Sequence, residues 1–260
     1  MNETLSTIDR RRSIRAFSEE PLSRVERDAI LHAAMRAPTA GNMMLYTVLE
    51  IDDPALKARL AETCDHQPFI AKAPFVLVFA ADYQRWFDYY TLSGAEDKAR
   101  ELGRAWRTPA AGDLLLACCD ALIAAQNAVI AAESLGISSC YIGDILENYE
   151  IHRDLLALPR YVAPVTLLCF GRPLRAYEGP SPVSRFEPEF IVHKNTYHRL
   201  DEAELTRMFQ TQADKAAGAN AFLPGAENLG QHQYLRKFGA DFSIEMTRSV
   251  RAMLKNWGEE

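Results

Sequence analysis

The stretch from Leu114 to Leu135 is the most apolar long segment in the chain, and Asp120, Gln126, Asn127 and Glu133 interrupt it. A helix that is apolar nearly all round has to be packed on several sides. The four polar side chains favour the centre of a folded core over a membrane span. The expectation is therefore a central helix from Asp113 to Leu135, stopped by Gly136. The rest of the chain has to supply the surfaces that cover it.

Strands and shorter helices are legible on both sides of this helix. Ser23 and Glu26 form a capping box, and Val25, Ala29, Ile30, Ala33 and Ala34 repeat at helical spacing up to the stop at Pro38. Leu45 to Ile51, Phe75 to Ala81 and Pro164 to Phe170 have the length and composition of buried strands, and a helix should follow Pro54. This alternation indicates an α/β or α+β layered architecture and leaves strand order and direction open. After Gly171 the run GRPLRAYEGPSPVSRFEPE reads as an extended loop. Beyond Asp201 the chain turns polar, with one helix from Glu202 to about Ala217, a break, and another from Tyr234 to Trp257. There is no internal repeat and no low-complexity tract.

With 260 residues, 48% of them hydrophobic, the chain has material for a sizeable core, as one domain with excursions or as two. The formal charge of -6 argues against a broad footprint for nucleic acid or anionic lipid. The start, MNETLSTIDRRRSIR, turns basic before offering any apolar core, unlike a secretory signal. The five cysteines are odd in number and never spaced CxxC, which favours free thiols in a reducing, cytoplasmic setting. Neither a zinc site nor a disulfide framework is expected.

Four short segments carry the chemistry. Arg10-Arg11-Arg12-Ser13-Ile14-Arg15-Ala16-Phe17 crowds guanidinium groups that repel one another unless anions neutralise them. Guanidinium forks match phosphate or carboxylate oxygens, so the segment is a seat for a phosphorylated ligand, or a solvated helix end paired with Asp9, Glu19 or Glu20. Ala37-Pro38-Thr39-Ala40-Gly41-Asn42 is a small-residue turn that lets backbone approach a ligand, or an ordinary helix-to-strand turn. Tyr141-Ile142-Gly143-Asp144 ends an apolar run with a glycine, room for a planar ring or a plain strand end. In the late loop, Arg172, Arg175 and Arg185 either close over an anion or coat the surface.

The order of these elements over roughly residues 5 to 200 resembles the nitroreductase family of FMN-dependent oxidoreductases. RRSIRAF, APTAGN, the strand leading into YIGDI, FGRP, Arg185 and IVHKNTYHRL carry the resemblance. It implies an α+β, three-layer nitroreductase-like fold: a central, mostly antiparallel sheet flanked by helices, with an FMN-binding domain over 1–200 and a helical C-terminal extension over 201–260. It also implies a homodimer that holds FMN. Arg11, Arg12, Ser13 and Arg15 would contact the ribityl chain, phosphate or pyrimidine edge, and Arg185 would hold the phosphate. Thr39, Ala40 and Asn42 would reach over from the second subunit, Gln67 would face the pyrimidine edge, and Tyr141, Ile142, Gly143 and Asp144 would lie along one side of the isoalloxazine. The chain departs from the family's usual Asn-x-Gln-Pro-Trp, with Met43-Met44-Leu45-Tyr46 after Asn42.

Flavin carries the electron chemistry, so few catalytic side chains are needed. No nucleophile, triad or metal cluster stands out, and the six histidines are scattered. The resemblance implies ping-pong turnover, in which NAD(P)H and then a nitroaromatic, quinone or related small acceptor use one pocket. The absence of GxGxxG agrees with that. Trp86, Phe87, Tyr89, Tyr90 and Trp106 form either an aromatic lid over that pocket or the packing of an inserted helix. The rival function is a flavin-binding sensor or reservoir without turnover. The C-terminal apolar residues, including Phe209, Leu235, Phe238 and Trp257, need cover from a partner subunit or from their own.

Overall fold

The computed structural model describes residues 2–177, 181, 183–219 and 221–258. Its elements run α1 (Glu3–Arg10), α2 (Arg24–Met35), β1 (Tyr46–Glu50), α3 (Pro54–Thr63), α4 (Phe69–Lys72), β2 (Phe75–Asp82), α5 (Gln84–Leu92) and α6 (Ala95–Glu101). Next come α7 (Ala111–Ser134), β3 (Ser138–Ile142), α8 (Tyr149–Leu155), β4 (Val162–Gly171), α9 (Glu202–Gly218), α10 (Leu229–Gln233) and α11 (Asp241–Trp257). Two compact units result: residues 1–180 with 245–260, and residues 181–244, so the boundary falls within α11.

In the first unit the strands form one antiparallel sheet in the order β1-β2-β4-β3. The sheet has helices on both faces, because alternate residues of β2 point opposite ways. Phe75, Leu77, Phe79 and Ala81 join Ala117, Ala121, Ala124, Ala125 and Ala128 of α7 in the larger core. Val76 and Val78 join Leu60, Cys64 and Ile70 from α3, its C-terminal end and α4 on the opposite face. This is the three-layer α+β arrangement that the resemblance implied. Small alanines along α7 let the helix lie close to the sheet and to α2. Its length and composition would suit a membrane span, yet its inner face is the centre of this core.

Most helix limits follow local chemistry. The Ser23–Glu26 capping box is formed at α2, Asp53 caps α3 with Pro54 at its first position, and Gly136 takes a positive φ of 71° just past α7. Pro164 stands inside the buried strand β4, where a missing N–H normally costs a ladder bond. The register slips opposite Phe79 and Ala80, and that bulge accommodates it.

Helix α8 shows what α11 is for. It starts after Asn148, in a left-handed conformation, with no side-chain cap of its own. Glu245 accepts the Asn148 N–H at 3.1 Å and Ser249 accepts the Tyr149 N–H at 3.1 Å, so α11 supplies the missing cap. Arg248 fixes the pair further through both oxygens of Glu150, at 2.9 and 2.8 Å. Trp257, at the far end of α11, is fully buried and meets Tyr161 edge-on with ring centroids 5.7 Å apart. This apolar residue thus finds its cover in its own chain, whereas Phe238 in the second unit is 75% exposed.

In the second unit Asp201 caps α9 through a capping box, and Phe186 stacks edge-on against Phe209 at 5.2 Å. The Tyr234–Phe238 turn is π-helical and ends at Gly239, ahead of α11. Replacing Trp257 by Ala should destabilise the first unit by about 3–5 kcal/mol, the usual effect of emptying so large a core site. Urea unfolding followed by tryptophan-independent circular dichroism checks it, and an unchanged midpoint would show that α11 is dispensable.

Candidate functional site

Strand β3 lies at the edge of the sheet, and the basic N-terminal segment covers that edge. Ser13 bridges Ser139, with the Ile14 N–H donating to the Ser139 carbonyl at 3.0 Å. Four residues on, Phe17 bridges Pro173, and its ring lies on Gly171, where an added Cβ would sit 2.8 Å from the ring. Only glycine leaves space for that ring. The segment is thus pinned at both ends.

The Arg12 guanidinium stacks 4.0 Å over the Tyr177 ring, whose hydroxyl donates to buried Glu133 at 3.0 Å. Burial raises the Glu133 carboxyl, opposed by the Tyr177 hydrogen bond and by Arg10, Arg11 and Arg12. Among the described residues no carboxylate pairs with Arg11 or Arg15, and Asp9, Glu19 and Glu20 do not neutralise them. Their fields act on β3 instead. Burial pushes the Tyr141 phenol up to about 12 against the pull of Arg11, and it raises the Cys140 thiol against Arg15 and then Arg11.

β3 then leads to Gly143, which is exposed, with nothing within 4 Å of an added Cβ. Beside it, Asp144 accepts the Gln67 side-chain N–H at 2.6 Å, and Gln67 also donates to the Cys64 carbonyl at 2.9 Å. Both amide hydrogens of Gln67 are therefore used, which leaves its carbonyl oxygen as an acceptor. Ile142 is buried in the core, so only its backbone is offered at this strand end. A largely apolar cavity of about 520 Å³ opens here, walled by Leu114, Cys118, Tyr141, Gly143, Val165 and Met253.

Glu147 lies beneath this strand end, 5% exposed, hydrogen-bonded to Asp144. Burial raises its carboxyl to about 8, helped by the like charges of Asp144, Asp65 and Glu245. His152, fully buried, has its pKa lowered by burial, with its ring nitrogens on the Ile145 carbonyl at 2.9 Å and the Thr63 hydroxyl at 2.8 Å. Burial likewise raises the Cys64 thiol, so this cysteine is an inert core group rather than a nucleophile.

The Thr39–Asn42 turn is held elsewhere, on α7. Asp120 accepts the Thr39 hydroxyl, the Ala40 N–H at 3.0 Å and the Leu45 N–H at 3.1 Å. Gly41, Asn42 and Met44 all have positive φ, of 55°, 59° and 51°. For the two non-glycines that costs roughly 1–2 kcal/mol each, offset by the bonds to Asp120. From α5, the Trp86 indole donates to the Met43 carbonyl at 2.8 Å and Arg85 to the Met44 carbonyl at 2.9 Å. The aromatic segment thus braces this turn. Phe87 packs on Tyr161 and Trp106, with ring centroids 5.1 and 5.8 Å apart, beside a separate cavity of about 210 Å³ lined also by Tyr83, Tyr90 and Arg107.

The structure thus joins Arg11, Ser13, Arg15, Tyr141, Ile142, Gly143, Asp144 and Gln67 around the end of β3, and seats Thr39, Ala40 and Asn42 on α7. Arg172 does not close over an anion: Glu20 and Glu26 hold it at 3.1 and 2.6 Å. Arg175 is exposed. Arg185 belongs to the second unit, exposed, with its guanidinium on the Val183 and Ser184 carbonyls at 3.3 Å. The sequence reading missed Asp120, Glu147, Arg85 and Tyr177. For Asp120 a signal existed, because a lone carboxylate inside so apolar a helix demands donors.

Residues 8–172 match the model of the nitroreductase family. The chain is a member of the nitroreductase family. It is 35% identical over 214 residues to an oxygen-insensitive NADPH nitroreductase of Salmonella typhimurium, covering 82% of each chain. It is 34% identical over 211 residues to an FMN reductase [NAD(P)H] of Bacillus subtilis, covering 81% of this chain and 80% of the relative. The solved structure of B. megaterium NfrA2 superposes with a TM-score of 0.78 at 28% identity, over 100% of this chain and 99% of that one.

Within this nitroreductase, Glu147 sets a testable pH dependence. Its folded-state carboxyl keeps a proton that the unfolded group releases above its ordinary 4.5. The stability it contributes is full below that value and is lost as pH rises through about 8, a change on the order of a few kcal/mol. Urea midpoints should fall between pH 5 and pH 8.5, and Glu147→Gln should flatten that decline. An equal slope in both proteins would remove Glu147 as its source.

Proposed function

We propose that this nitroreductase is an NAD(P)H-dependent oxidoreductase that binds FMN at the end of β3 and reduces nitroaromatics, quinones or related small acceptors. One observation carries the reading: among the described residues no carboxylate pairs with Arg11 or Arg15, and their charges act on the strand that ends at the open Gly143. The donor set fits the cofactor. The Arg11 and Arg15 guanidinium groups and the exposed Ser13 hydroxyl suit a phosphate and a ribityl chain, and the Gln67 carbonyl suits a pyrimidine N–H. Gly143, flanked by Tyr141, Ile142 and Asp144, leaves space for a planar ring.

Bound FMN supplies the ring that accepts a hydride and passes electrons on. The chain has four tasks around it. Arg11, Ser13 and Arg15 bind and orient the cofactor, and positive charge beside the pyrimidine edge favours added electron density there. Arg12 fixes the segment through Tyr177. Asp144 holds the Gln67 amide so that its carbonyl is presented. The apolar cavity beside Gly143 excludes water and receives the nicotinamide donor and then the acceptor, which accords with the absence of a separate GxGxxG motif.

The same reading includes a homodimer. α7 exposes Leu115, Leu116, Leu122 and Ile123, each at least 41% accessible, a row that a second copy would cover. Thr39, Ala40 and Asn42 would then complete the partner's site, and Arg185 would add its charge to the phosphate. Residues 1–200 would form the FMN-binding part and 201–260 a helical extension. Five free thiols accord with a reducing cytoplasm.

The purified protein should be yellow, and NADPH or NADH added without oxygen should bleach its visible spectrum. A colourless protein that FMN does not reconstitute would overturn the reading, and a flavoprotein that neither donor reduces would be a sensor or reservoir instead. Arg11→Ala and Arg15→Ala should each weaken FMN binding roughly 10- to 100-fold, the loss expected for a charge-assisted hydrogen bond. Quenching of flavin fluorescence during titration of the apoprotein measures it.

A further inference from the structure

Asp120 is 3% exposed in the middle of α7 and has no cationic partner among the described residues. All its hydrogen bonds go to one place: the Thr39 hydroxyl, the Ala40 N–H and the Leu45 N–H. Thr39 Oγ1 in turn accepts the Met44 N–H at 2.8 Å, which closes a ring of bonds around the positive-φ residues Gly41, Asn42 and Met44. The outer edge of this turn, Gly41 and Asn42, is exposed. A buried carboxylate is therefore devoted to the shape of a surface turn whose outer edge is free.

The turn stands apart from its own chain's basic segment. The start of that segment lies near Glu133, since Arg12 stacks on the Tyr177 ring and the Tyr177 hydroxyl donates to that carboxyl. Asp120 and Glu133 are thirteen residues apart on α7, which is about 20 Å along a helix. The arginine end of one half-site and the turn that makes the other thus sit at two stations of one helix, with the exposed apolar residues of α7 on its outer side. In a two-fold dimer each half-site meets its complement from the other copy.

We propose that Asp120 is a positioning residue that acts across the dimer: it fixes the Thr39–Asn42 turn of one copy in the shape that completes the FMN site of the second copy. The proposal rests on the dimeric FMN-binding reading above. It assigns no chemistry to Asp120, which works through Thr39 and the backbone of Ala40 and Leu45. Asn at 120 keeps the size of the side chain and removes one of the two acceptor oxygens, so the turn loses its defined shape while α7 keeps its packing.

The experiment is FMN titration by fluorescence quenching on three dimers, each checked for mass by analytical ultracentrifugation. D120N homodimers should bind FMN about tenfold more weakly than the wild type, and homodimers of the Arg11→Ala, Arg15→Ala double variant at least about 100-fold more weakly. The heterodimer of these two chains, isolated through two different tags, should bind one FMN per dimer with wild-type affinity. It contains one site built from an intact basic segment and an intact turn. A heterodimer with no restored site would show that Asp120 acts only within its own chain and overturn the proposal, as would D120N that binds like the wild type. Wild-type protein that binds no FMN would instead overturn the functional reading itself. Should D120N yield no dimer, Thr39→Val, which deletes only the hydroxyl of the same bond ring, replaces it in the heterodimer.

Discussion

Everything in the first unit leans on the contact between the alanine face of α7 and the odd-numbered side chains of β2. Ala117, Ala121, Ala124, Ala125 and Ala128 lie against Phe75, Leu77, Phe79 and Ala81, with no exposed surface on either side. Small residues on the helix and large ones on the strand interlock as close-packed interiors require. Because the helix runs 24 residues, it provides anchoring points at two separate levels. Asp120 holds the small-residue turn at one level, and Glu133 with Tyr177 backs the basic segment at the other.

The site is built from edges rather than from a central cleft. An open β edge is normally blunted by charge or by another segment, and here residues 13–17 provide both. The same arginines that make the edge unattractive to another strand attract an anion. Gly171 makes this arrangement possible by admitting the Phe17 ring, so a residue with no side chain indirectly places Arg15. Glu26 links the parts again, since one of its oxygens closes the α2 capping box and the other takes Arg172.

Much of this was legible before any coordinates. The buried strands announce themselves as short apolar runs, α7 as a long one, α2 by its capping box and α9 by its helical pattern. YIGD meets Gln67 of HQPF through Asp144 and lies in the field of Arg11 of RRSIRAF through Tyr141, although these segments are up to 133 residues apart. Strand order was not legible, because the β2–β4 pairing depends on side chains far apart in sequence. Nor was the commitment of Arg172 to Glu20 and Glu26: a guanidinium in a loop reads the same whether its partner is a ligand or a carboxylate. Glu147 also escaped notice, since its raised pKa comes from burial beside Asp144 and not from any local pattern.

The capping of α8 by α11 bears on how the molecule is made. Nearly a hundred residues separate Asn148 from Glu245, and a chain leaving the ribosome exposes the first long before the second exists. Until then the start of α8 has only water for its amide groups, and the Tyr161 ring lacks the indole that covers it. Helix α11 is thus a closing latch, and the first unit reaches its finished state only once those seventeen residues have been made.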